Sequence, residues 1–138
     1  MAVKPQKTNT INPIDELHNK AMNLADEAFY AKRKEDLETT QTKYKAAFEY
    51  EKAAAMLLIN SYETEPSRSV MFRSAACLLL NLPKPSQDDY REAERMIAFG
   101  LSGYPPAEIA GELRAAFEEV REKWETKTQE EETLSRGV

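Results

Sequence analysis

Apolar residues recur at intervals of three and four from Ile14 to Trp124, and the pattern breaks at only a few places. Such spacing puts side chains on one stripe of an α-helix, whereas a half-buried strand needs alternation by two. The first stripe is Ile14, Leu17, Ala21, Leu24, Ala25, Ala28 and Ala31, entered through Pro13, which a helix start tolerates. It closes at Lys32-Arg33-Lys34, where cations suit the negative end of the helix dipole. The second stripe begins near Asp36 and meets no breaker until Pro66, so the spacing predicts a helix over 36–62, about 40 Å long. A third helix over 66–82 carries Val70, Phe72, Ala75, Ala76 and the Cys77–Leu80 cluster, the most hydrophobic segment and the expected centre. Pro83 and Pro85 end it. Ser86 and Asp89 then mark a helix start, with a hydroxyl to cap a backbone N–H and a carboxylate at the positive dipole end. This fourth helix spans 87–102 and stops at Gly103, a residue that permits left-handed backbone angles. Pro105-Pro106 open a fifth, through Ile109, Leu113, Ala116, Phe117, Val120 and Trp124. The expected class is all-α, with five helices.

Composition sharpens this and excludes some functions. At 138 residues the chain makes one domain, in which roughly two-thirds of the unfolded surface is buried. Only 4 glycines, set against many Ala, Leu, Glu and Lys, favour helices throughout. Residues 1–13 are polar and predict a disordered tail, and the charged segment 125–138 predicts a frayed acidic one. A formal net charge of −5 provides no global basic field, so nucleic-acid binding is not expected. The single Cys cannot form an internal disulfide, and no apolar signal segment follows Met1. The longest apolar run, Ala53 to Ile59, falls far short of the roughly 20 residues of a membrane span. A soluble cytoplasmic protein that binds no membrane is expected.

Residues able to carry chemistry are sparse. His18 is the only histidine, far in sequence from Cys77 and without paired ligand spacing, so it predicts a solvent-facing or capping role and no metal site. Cys77 sits among Ala75, Ala76 and Leu78–Leu80 and reads as a small hydrophobe; Arg73, one turn away, is the cation that would activate it. Glu130-Glu131-Glu132 reads as a solvated acidic run. Ser102 between Gly100 and Gly103 lacks the Gly-x-Ser-x-Gly spacing of a nucleophile elbow, and no phosphate-binding glycine loop is present. No catalytic residue and no cofactor are expected.

The chain also echoes itself. A shift of 53 positions pairs Asp36 with Asp89, Leu37 with Tyr90, Thr40 with Ala93, Tyr44 with Ile97, Ala47 with Gly100 and Phe48 with Leu101. Bulky residues meet bulky ones and small meet small, as interlocking helices require. Ala28 and Ala76 supply the matching small residue in the preceding helices. The run Asp89-Tyr90-Arg91-Glu92-Ala93, continuing through Ile97, Gly100 and Leu101 to Pro105, resembles the second helix of a tetratricopeptide repeat (TPR). Gly100 to Ile109 resembles the passage from a last repeat into a solvating helix. The resemblance covers about residues 14–124. It implies two degenerate repeats and a capping helix, arranged as antiparallel pairs in a right-handed superhelical stack.

In that family the first helix of each pair lines a concave groove that binds proteins. Carried over, the resemblance places Met22, Ala25, Phe29, Lys32 and Arg33 of the first helix on the groove. From the third it places Val70, Arg73, Cys77, Leu80 and Asn81, and from the fifth Ile109, Glu112, Ala116 and Glu119. The candidate partner-binding residues are Phe29, Lys32, Arg33, Arg73, Cys77 and Asn81. Phe29 would anchor an apolar side chain, and the arginines would hold a carboxylate or acidic segment in two-pronged fashion. The carboxylate clamp of some TPR domains is not reproduced, since Ala25 and Phe29 stand at its Lys and Asn positions. The implied function is a small non-catalytic adaptor for another protein or peptide. The alternative is an oligomerising subunit, a homodimer built on the long second helix.

Overall fold

The computed structural model describes residues 12–136; the predicted tail up to residue 11 and the last two residues lie outside them. Five α-helices follow in order: α1 Pro13–Arg33, α2 Leu37–Leu57, α3 Ser67–Leu80, α4 Gln87–Leu101 and α5 Ala107–Arg136. A short 3-10 turn, Tyr62–Thr64, precedes α3, and no strand occurs among the described residues. The fold is all-α. Each helix packs on the next, and α3 also meets α5, so the most hydrophobic helix is the central one.

Local chemistry sets the starts. Asn12 Oδ1 accepts from the Ile14 N–H, and Asp36 Oδ1 accepts from the Thr39 N–H, each filling one of the free donors at a helix N-terminus. Ser86 and Asp89 form a reciprocal capping box, side chain to backbone in both directions. Packing then alternates small and large. Ala28, Ala47, Ala54, Ala75, Ala76 and Ala93 are fully buried and let helices approach, while Phe48, Phe72, Met96, Ile97 and Leu113 fill the spaces between. Each of those large side chains contributes about 1.5–3 kcal/mol on burial. A Cβ on Gly100 would come within 3.0 Å of a Leu113 methyl and 3.3 Å of Phe72 Cβ, so α3, α4 and α5 meet at a point that needs a hydrogen there. The echo at 53 residues is buried in both copies at Thr40/Ala93, Tyr44/Ile97 and Ala47/Gly100. At its start it fails: Asp36 is an exposed cap and Leu37 is exposed, whereas Asp89 and Tyr90 are buried.

Three sequence expectations are corrected. The second helix ends at Leu57, giving a length of about 31 Å. A turn through Asn60 and Ser61 keeps Leu58 and Ile59 against the core, so the apolar spacing ran on past the helix itself. Gly103 does not adopt a positive φ. Its Cβ would instead lie 2.3 Å from Arg68 Nη1 and 2.7 Å from Glu65 Oε2, so crowding and not backbone conformation calls for glycine. Finally, α5 continues through the predicted frayed tail to Arg136. Pairs at i,i+4 support it there, Arg121 with Glu125 and Lys127 with Glu131, each contributing a few tenths of a kcal/mol.

Beyond packing, α2 and α4 are tied by the ion pairs Lys45–Asp89 and Lys52–Glu92. Burial alone would raise the Asp89 carboxyl, but the bonds from Lys45 and Ser86 outweigh it and hold the group below its ordinary value of 3.8. The unfolded chain thus binds a proton before the folded one does. Asp89 contributes stability above about pH 3.8, and that contribution is lost as pH falls through the lower folded value. Urea denaturation of Asp89→Asn is expected to show lower stability than wild type at neutral pH and a smaller loss on acidification to pH ~3. Equal losses in the two proteins would show that Asp89 does not couple to folding.

Candidate functional site

One stripe of α3 is left half open. Val70, Arg73, Ser74, Cys77 and Leu80 lie on it at helical spacing and are all partly exposed, while Phe72, Ala75, Ala76 and Leu79 on the other faces are buried. On one side of the stripe stands α5. Its Glu112 pairs with Arg73, and Lys123 Nζ donates to the Leu80 carbonyl at 3.0 Å. On the other side stands α1, joined to α3 through a carboxylate from α2. His18 Nδ1 lies 2.8 and 3.0 Å from the two oxygens of Glu51, and Ser74 Oγ donates to Glu51 Oε2 at 2.6 Å. Glu51 is fully buried. His18 is thus neither solvent-facing nor a cap, as its sequence position suggested; it is half-buried and holds a core carboxylate. No local pattern signals this role, because its partner lies 33 positions away.

These contacts set the register. Glu27 pairs with Lys43 and His18 with Glu51, while Glu51 meets Ser74 and Gln41 exchanges bonds with the Lys84 backbone. Both α1 and α3 therefore run counter to α2, with His18 level with Ser74. Phe29, eleven residues beyond His18, lies about 16 Å further along the axis. The six candidate residues are accordingly strung out along one face. Arg73 sits at one end, its charge already matched by Glu112. Cys77 and Asn81 follow, the Asn81 amide donating to the Cys77 carbonyl at 3.0 Å. Phe29, 56% exposed, stands at the far end with the exposed Lys32 and Arg33. Phe29 and Arg73 do not converge on one ligand group.

The stripe offers little reactivity. Burial pushes the Cys77 thiol up, Arg73 works against that, and Glu119 and Glu112 reinforce it, so the thiol is protonated at neutral pH. Ser74, Glu51 and His18 do not form a nucleophile relay, because the carboxylate lies between the hydroxyl and the imidazole. No group of three metal-binding side chains occurs among the described residues, and none of their helices is long and apolar enough to cross a membrane. Comparison with protein-family models, with curated proteins and with solved structures gives no match. What the site does rests on its geometry.

Two polar residues that organise this region escaped the sequence reading. Glu51 lies on the apolar rhythm of α2, at core spacing from Phe48, Ala54 and Ala55. Arg68 opens the apolar stripe of α3 in the same way and is fully buried. A charged residue on a core position was the available signal. Arg68 Nε donates to the Ile59 carbonyl at 3.0 Å and Nη1 to that of Phe99 at 2.9 Å, so one guanidinium serves the ends of both α2 and α4. The rings of Tyr62 and Phe72 lie 5.0 and 5.2 Å from it. Glu65 completes the joint, accepting from the Ser69 N–H and hydroxyl and from the Tyr104 N–H.

Proposed function

We propose that this protein is a non-catalytic binding module of the TPR-like kind, which holds an extended protein segment along the face shared by α1, α3 and α5. The half-open stripe on α3 carries this reading. A central, hydrophobic helix buried on its other faces exposes one line of apolar and polar groups, Val70 to Leu80, with α5 packed on one side and α1 linked on the other through Glu51. On α1, Met22 and Ala25 are also partly open. Such a line offers apolar anchor points with polar groups beside them. The antiparallel run of α1, α2 and α3, and the three echo pairs buried in both copies, support the repeat reading.

The register refines the ligand. Phe29 lies about 16 Å further along the axis than His18, an offset of roughly five residues of extended chain at about 3.3 Å each. No ion pair engages Lys32 or Arg33 among the described residues, so an acidic side chain of the ligand belongs at that end, next to Phe29. Apolar side chains belong over Cys77 and Leu80. A peptide array probed with wild type, Phe29→Ala and Leu80→Glu tests this. Peptides retained by wild type should combine an apolar pair with an acidic residue, and both variants should lose them by about tenfold or more. Retention of the same peptides by both folded variants, or no retention by wild type, would remove the proposal.

A further inference from the structure

Helix α4 lies across the furrow between α2 and α3, packing along α3 and reaching α2 through Lys45–Asp89 and Lys52–Glu92. The next furrow, between α4 and α5, has no helix over it among the described residues, and it holds a cavity of about 380 Å³. Tyr90, Phe117, Val120 and Trp124 line its floor. The Tyr90 and Trp124 rings meet edge to face with centroids 5.9 Å apart, and Phe117 and Trp124 remain partly exposed. Arg91 and Glu94 of α4 form one rim, Arg121 and Glu125 of α5 the other. Arg121 pairs with Glu125 inside its own helix. Arg91 and Glu94, one turn apart and opposite in sign, take part in no ion pair among the described residues.

We infer that the furrow between α4 and α5 is a docking site for an amphipathic helix of another protein, distinct from the face across α1, α3 and α5. The lining recurs at helical spacing on both walls, 90, 91 and 94 facing 117, 120, 121 and 124, which is the form of a groove between two helices that a third one fills. The covered furrow shows what this chain does with such a place: α4 seats Tyr90, Ala93 and Ile97 in the core and pairs acids with the lysines of α2. In the open furrow the α4 rim presents one charge of each sign. It selects a helix with aliphatic residues on one face and, at its edge, an acidic residue opposite Arg91 and a basic one opposite Glu94. A ligand of single strong charge would meet repulsion at one of the two.

Trp124 is the only tryptophan and lines this cavity, so its emission responds to a ligand seated there. A displayed library of amphipathic helices of about 18 residues, five turns, with edge charges randomised, would be selected on the full-length protein. Enriched helices should shift Trp124 emission. The surface double change Arg91→Glu with Glu94→Arg should weaken them about tenfold or more while leaving the circular dichroism unaltered, and exchanging the two charges on the helix should restore binding. Leu80→Glu, on the α3 stripe, should leave their binding unchanged. The inference is overturned if no helix is enriched over the charge-reversed protein, if enriched helices ignore the reversal, or if they bind without changing Trp124 emission.

Discussion

Replacing Arg68 with alanine should lower the free energy of unfolding by about 3–5 kcal/mol, one of the two largest effects expected from a single polar residue here. Its guanidinium is fully buried and reaches carbonyls at the ends of two helices, Ile59 after α2 and Phe99 in the last turn of α4. Helix ends carry partial negative charge and unpaired carbonyl oxygens, so a cation there acts on both the dipoles and the hydrogen bonds. Alanine would leave two carbonyls without this donor, open a cavity beside Tyr62 and Phe72, and remove the cation near the Glu65 carboxylate. Lysine should recover less than half of the loss, since a single ammonium cannot present the planar fork that spans both oxygens. Urea unfolding at neutral pH measures this. A loss below about 1 kcal/mol for alanine would show that water replaces the guanidinium without penalty.

The second large effect concerns the carboxylate beneath the proposed binding face. His18→Ala should cost about 2–3 kcal/mol, because it leaves the fully buried Glu51 with Ser74 as its remaining side-chain donor. Glu51→Met, similar in volume and free of charge, should cost less than about 1.5 kcal/mol, since it removes the desolvated group together with its need for partners. The order of the two is the test. Combining them should cost much less than their sum, because once Glu51 is gone His18 has little left to hold. Additive losses in a double-mutant cycle would show that the imidazole stabilises α1 by packing and not through the carboxylate.

The helices themselves were legible from spacing. Pro13, the Lys32–Lys34 run, the Ser86–Asp89 pair and Pro105-Pro106 mark real boundaries because capping and dipole effects act within one turn of the chain. The end of α2 was not legible, because Leu58 and Ile59 stay in the core after the backbone has turned away. The persistence of α5 was missed for the opposite reason. Charge pairs on a helix surface leave no apolar stripe to read.

For the candidate residues, helical spacing orders those within one helix but not their arrangement across helices. Arg73, Cys77 and Asn81 follow one another on α3 because the helical period demands it. That Arg73 is answered by Glu112, and that Phe29 stands well along the axis from His18, depends on how α1 and α5 are placed relative to α3. The sequence alone determined an all-α chain, most of its helix limits and its principal apolar stripes, since these follow from interactions between residues three and four apart. Only the tertiary structure decided the roles of the buried charges. Arg68, Glu51 and Gly103 answer to partners from 9 to 38 positions away, and no local pattern encodes which group will lie beside a desolvated charge.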